Sequence, residues 1–145
     1  MITSIHQPNF FPWMGFFDKV FKCDSFVFLT SSFRSKDDKF LTRTKILDDS
    51  TSKYLSIPLG VKQIPIKDLL MPNGKKWKIK TLNIINNSYH NSKFYEPIVS
   101  DVEFLIMNES EYFSDYSINI VNFLLEKLNI DTEIFIDTDF DKDFG

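Results

Sequence analysis

HQPNFFPWMGFFDK, residues His6 to Lys19, sets the architecture of this chain. Pro8 keeps Gln7 out of the helical region, so the backbone must leave the preceding segment in an extended form. Ile2 and Ile5 in that segment read as the end of a short buried strand. Pro12 has the fixed backbone angle suited to a helix's first turn, and Phe16, Phe17, Val20 and Phe21 then recur at helical spacing. Asp24 and Ser25 mark a turn, after which FVFL, Phe26 to Leu29, is an uninterrupted apolar run of the kind that forms a buried strand. Strand, crossover helix and strand make a right-handed βαβ unit. The stretch from His6 to Trp13 thereby becomes a loop at a strand's carboxyl end, where α/β proteins hold ligands.

The residue types in that loop suit ligand chemistry. His6 is a candidate general base, the alternative being a packed, satisfied histidine. Gln7 and Asn9 each donate and accept hydrogen bonds to a polar ligand, unless Asn9 simply closes a turn. Trp13 offers a flat apolar wall or plugs the core, and Gly15 permits close approach of a ligand or a neighbouring backbone. Asp18 either orients His6 or pairs with Lys22 one helical turn on.

Further along, alternation in FLTRTKIL puts Arg43 and Lys45 on one face of a strand. Together they either grip a phosphate or carboxylate or form a solvated face. Asp48 to Ser52 turns, and KYLSIPLGV returns as the second half of a hairpin. IPIKDLLM reads as a short strand that Pro65 confines to an edge. After the break at Pro72 to Gly74, Trp77, Leu82, Ile84 and Ile85 follow a helical period among Lys75, Lys76, Lys78 and Lys80, with Trp77 either a stacking platform or a core plug. Pro97 opens another helix, and Asn108 with Glu111 has the spacing of a capping pair for the next. Phe113, Tyr116, Ile120, Leu124 and Leu128 then keep strict helical spacing, Asn129 can end the helix in a left-handed conformation, and TEIFI is a further strand. The alternate aspartates from Asp137 to Asp143 lack the glycine turn and terminal glutamate of a calcium loop and read as a solvated tail. The predicted fold is one α/β domain over residues 1–145, with a βαβ start, a small, mostly parallel sheet, a hairpin insertion and helices packed in the second half.

Composition narrows the function classes. Among 145 residues there are sixteen phenylalanines and one cysteine, Cys23, which rules out an internal disulfide or a cysteine-based zinc site. No apolar run reaches membrane length, so a soluble, cytoplasmic protein without a membrane span is expected. Residues 1–95 hold fifteen Lys/Arg against seven Asp/Glu, whereas residues 96–145 hold two against thirteen. The basic front suits an anionic small molecule, although the acidic back can also neutralise it within the fold. Nucleic acid is not expected, because the chain is acidic overall and its basic residues follow no recognition motif.

His6 to Lys19 followed by Ser25 to Leu29 resembles the opening of the WbqC-like family, with its His-Gln-Pro-Asn, Pro-Trp, Gly and Asp-Lys series in order. Arg43 and Lys45 match that family's basic pair, and Trp77, Tyr89 and Tyr95 its tryptophan, helix and tyrosine segment. Thr30 and Ser31 stand where the family has two aspartates, which removes the groups for a metal or acid/base role there. The resemblance covers nearly all of this chain and the front part of a typical member. It implies work in bacterial surface-polysaccharide (O-antigen-type) biosynthesis, with transfer of an acyl or aminoacyl (glycyl) group to a sugar. The Pro-x-x-Gly helix entry is also reminiscent of nucleotidyltransferase-like folds, but their paired histidines are absent from PWMGFF. The expected machinery is His6 and Asp18 for proton transfer, with Gln7, Asn9, Trp13, Arg43, Lys45 and Trp77 binding a sugar or nucleotide-linked sugar. No metal site is expected and no cofactor is indicated. The alternative is a non-catalytic sugar-binding module that needs a partner protein or a second copy of itself.

Overall fold

The computed structural model describes residues 1–35, 40–48, 51–60 and 63–142. In order these form β1 (Thr3–His6), α1 (Met14–Phe21), β2 (Ser25–Phe28), β3 (Arg43–Asp48), β4 (Thr51–Ser56), α2 (Lys76–Tyr89), α3 (Tyr95–Met107), α4 (Phe113–Lys127) and β5 (Glu133–Ile136). Two short 3-10 segments, Ile66–Asp68 and Asp137–Lys142, complete the order. The fold is mixed α/β, as the periodicities predict, with helices filling the second half.

The βαβ unit forms as expected, and its two strands pair in parallel with Thr3 opposite Ser25 and His6 opposite Phe28. A second parallel pairing adds β5 to the far side of β2, so Phe26 lies opposite Ile134 and Phe28 opposite Ile136. The resulting sheet has order β1-β2-β5, and β3 with β4 forms a separate antiparallel hairpin. All four residues of β2 are buried, which explains their apolar character without alternation.

Phe26 and Phe28 share one face of the sheet, against which α1 packs Phe16, Phe17 and Val20 and α4 packs Ile118, Val121 and Leu125. The Phe16 ring meets Phe26 edge-on at 5.3 Å and lies parallel to Phe28 at 6.3 Å. A second cluster joins Phe10, Leu55, Ile66, Trp77, Phe113 and Tyr116. Helix α4 therefore buries two opposite stripes, one against the sheet and one against the hairpin and helices, and its middle is apolar nearly all round.

Three local expectations are corrected. β1 is not a buried strand end: Ile2 and Ile5 are 61% and 55% exposed, because β1 is an edge strand and Ile5 lies on the face turned away from Phe28. Residues 64–71 do not form a strand. Ile66 N–H donates to the Ser32 carbonyl and Lys67 N–H to the Thr30 carbonyl, so the segment turns as a short 3-10 piece beneath the exit of β2, anchored by fully buried Ile66. Asn108 does not cap α4. Its side chain accepts from Ser110, and its carbonyl accepts from Lys78 Nζ at 2.5 Å, so a buried lysine of α2 satisfies the end of α3. Asn129 does end α4 with φ +52°, as predicted. The turn expected at Asp48 to Ser52 lies partly outside the described residues.

Candidate functional site

Because β1, β2 and β5 are parallel, their carboxyl ends share one edge of the sheet. His6 ends β1, Thr30 to Ser32 follow β2, and Asp137 follows β5. Leu29 N–H donates to the His6 carbonyl at 2.9 Å and holds the first two exits side by side. Gln7 Nε2 then donates to Ser32 Oγ at 2.8 Å.

Asp137 reaches from the exit of β5 to that of the middle strand, β2. Its Oδ1 accepts from Thr30 N–H at 2.8 Å and from the Thr30 hydroxyl at 2.7 Å. Its Oδ2 accepts from Ser31 N–H at 2.9 Å and from the Ser31 hydroxyl. Partial burial alone would push this carboxyl up, but the hydrogen bonds from Ser31 and Thr30 outweigh it and hold Asp137 below the ordinary carboxylate range.

The imidazole of His6 is half-buried, 5.3 Å from the Phe16 ring in an edge-on arrangement. Its Nδ1 lies 2.8 Å from the Gln7 carbonyl oxygen. A carbonyl only accepts, so Nδ1 carries the hydrogen, and in the neutral ring Nε2 holds the lone pair. That tautomer is the one a general base requires at Nε2.

Downstream, the loop separates its side chains. Pro8 and Asn9 are buried, and Phe10 sinks into the second core cluster with its N–H on the Leu41 carbonyl at 2.9 Å. Phe11 follows with φ +45°, a left-handed conformation that costs a bulky L-residue about 1–2 kcal/mol. Trp13 is 70% exposed, and its indole lies directly over Gly15, where an added Cβ would stand 1.9 Å from the ring. The glycine accommodates that indole.

The remaining predicted residues lie on other elements. Asp18 pairs with Lys22 at 2.7 Å, and Lys19 Nζ donates to the Ile5 carbonyl at 2.7 Å. The Arg43 guanidinium stacks 4.6 Å over the Tyr54 ring, and by strand alternation Arg43 and Lys45 face away from Thr44 and Ile46. Trp77 is 9% exposed within the second cluster, its ring 6.0 Å from that of Tyr116. Of the predicted set, His6 and Gln7 thus meet at the strand-end edge, joined there by Ser32, Thr30, Ser31 and Asp137, which sequence reasoning left out. The available signal was positional, since each follows directly on an apolar run read as a strand. Among the described residues, no group of three or more His, Cys, Asp or Glu side chains is placed to hold a metal ion. Among the same residues, no helix is long and apolar enough to cross a membrane.

A parallel-sheet edge carrying imidazole, amide, hydroxyl and carboxylate groups at a proline-held strand exit defines an α/β protein with a polar strand-end site. The chain belongs to the WbqC-like protein family, whose model matches residues 7–143. No curated protein and no solved structure matches it.

Proposed function

We propose that this WbqC-like chain acts in surface-polysaccharide assembly of the O-antigen type, transferring an acyl or aminoacyl group to a hydroxyl or amine of a sugar. The observation that carries the reading is the 2.8 Å contact of His6 Nδ1 with the Gln7 carbonyl oxygen, which assigns the hydrogen to Nδ1 and the lone pair of the neutral ring to Nε2. In this scheme the acceptor oxygen or nitrogen attacks the acyl carbon while His6 Nε2 takes its proton. The bond to the donor's leaving group then breaks, and the imidazolium returns the proton to that group. Gln7, which meets His6 at the strand-end edge, orients the acceptor. The Gln7 carbonyl takes the orienting role first considered for Asp18, which is engaged by Lys22. The reading includes a cytoplasmic location, which suits a single, buried, unpaired thiol at Cys23.

The test is mass-spectrometric: the protein is incubated with acyl and aminoacyl donors and nucleotide-linked amino sugars, and the acylated sugar is quantified. The His6→Ala variant is expected to lose about 10²–10⁴-fold in rate. Full activity of that variant would remove the proton-transfer role.

A second reading, a sugar-binding module without chemistry of its own, is favoured by one observation. The strand-end hydroxyls of Thr30 and Ser31 are already engaged by Asp137 and serve the fold. Saturable sugar-nucleotide binding with no product would establish it.

A further inference from the structure

A hollow opens beside Phe11 and Pro12 of the opening loop. It is an open depression of about 340 Å³ where these two residues meet the hairpin and the corner between α2 and α3. That volume falls at the small end of the roughly 300–1,000 Å³ typical of small-molecule sites. Ile46, Leu55, Ile85, Ile98 and Val102 supply its aliphatic walls, and among the described residues no Asp, Glu, Lys, Arg or His lines it. In a chain that is 26% charged, such a lining disfavours a charged occupant, which would lose its hydration without a partner.

We propose that this hollow binds an uncharged apolar group, a single ring or a short alkyl chain bearing a hydroxyl or carbonyl, carried by a small molecule. The proposal stands independently of the transfer reaction. Two tyrosines of the lining supply complementary polar capacity. Tyr89 Oη accepts from Leu47 N–H at 3.0 Å, which leaves its own proton to donate. The Tyr95 hydroxyl donates to Asn86 Oδ1 at 2.9 Å, which leaves its oxygen to accept. The backbone of the loop is bent to build this wall. At φ +45°, Phe11 parts from Phe10, whose ring is buried in the core and stands 80° to its neighbour, and gives its own surface to the hollow. Strained, bulky residues of this kind gather at ligand clamps.

The test is a titration of the full chain with benzyl alcohol and hexan-1-ol, and with benzoate and hexanoate as charged counterparts, followed by amide chemical shifts. Saturable binding of the alcohols is expected, with shifts concentrated at Thr44, Ile46, Ser92 and Val102 and the carboxylates about tenfold weaker or worse. Val102→Phe fills the hollow from α3 and Ser92→Phe fills it from an exposed turn, so at least the second keeps the fold, and each should weaken alcohol binding about tenfold. Three results would overturn the proposal: no saturable binding, equal affinity in wild type and Ser92→Phe, or a concentration-dependent dimer abolished by Ser92→Phe, which would make a second copy the occupant.

Discussion

Asp137 and Thr30, 107 residues apart, are joined twice: one carboxylate oxygen accepts both the backbone N–H and the side-chain hydroxyl of the threonine. The other oxygen treats Ser31 in the same way. This fork ties the exit of β5 to the exit of β2. Replacing Asp137 with Ala should therefore cost about 1.5–3 kcal/mol, the range for hydrogen bonds to a charged acceptor. Urea denaturation of both proteins measures it, and a loss under about 0.5 kcal/mol would show the fork to be ornamental.

The same carboxylate predicts the acid limb of stability. Its native pKa is depressed, so its contribution is present above the unfolded aspartate value of about 3.9 and is lost as pH falls through the native value. The stability gap between wild type and Asp137→Asn should shrink steadily below about pH 4. A gap independent of pH would contradict this linkage.

Tyr116 is completely buried in α4, and its hydroxyl donates to the Ile106 carbonyl at 3.1 Å. Tyr116→Phe leaves that acceptor without its donor and should cost about 1–3 kcal/mol. Burial pushes the phenol well above its ordinary range. The unfolded chain alone then releases this proton as pH rises past about 10, so wild-type stability should fall there more steeply than that of Tyr116→Phe. Parallel alkaline melting curves would refute the assignment.

Gly15→Ala tests the Trp13 lid. The clashing atoms belong to the far end of an exposed indole, which can swing aside. Alanine also gains up to about 1 kcal/mol in helix propensity over glycine. The variant should be as stable as wild type or slightly more so, with Trp13 emission shifted to the red. Marked destabilisation would mean that the indole is pinned.

Asp18→Ala should lower stability by no more than about 0.5 kcal/mol, because Asp18 and Lys22 form an exposed pair one turn apart. The proposed transfer activity should be unchanged in this variant. A large kinetic loss would return Asp18 to the orienting role.

The βαβ start was legible in the sequence because its determinants are local: two prolines that fix the exit and the helix entry, and phenylalanines at helical spacing. The hairpin, α4 and the left-handed Asn129 were legible for the same reason. What escaped depends on long-range partners. The docking of β5 against β2 has no local signature, so Asp137 read as part of an acidic tail. Ile66 read as a strand residue because nothing nearby shows that its N–H pairs with Ser32, beyond β2. At the candidate site, Gln7 was readable as a polar loop residue, but not its partner Ser32. The aromatic character of Trp77 could not say that Tyr116 would be packed against it.

The central strand acquires its last neighbour from residues 133–136, after the hairpin and three helices have been synthesised. On an emerging chain, then, β2 has one hydrogen-bonding flank with no lasting partner until residues 133–136 have been made. Sheet closure falls late in folding, and any truncation before Ile136 should leave a sticky, association-prone ribbon in place of a smaller stable core.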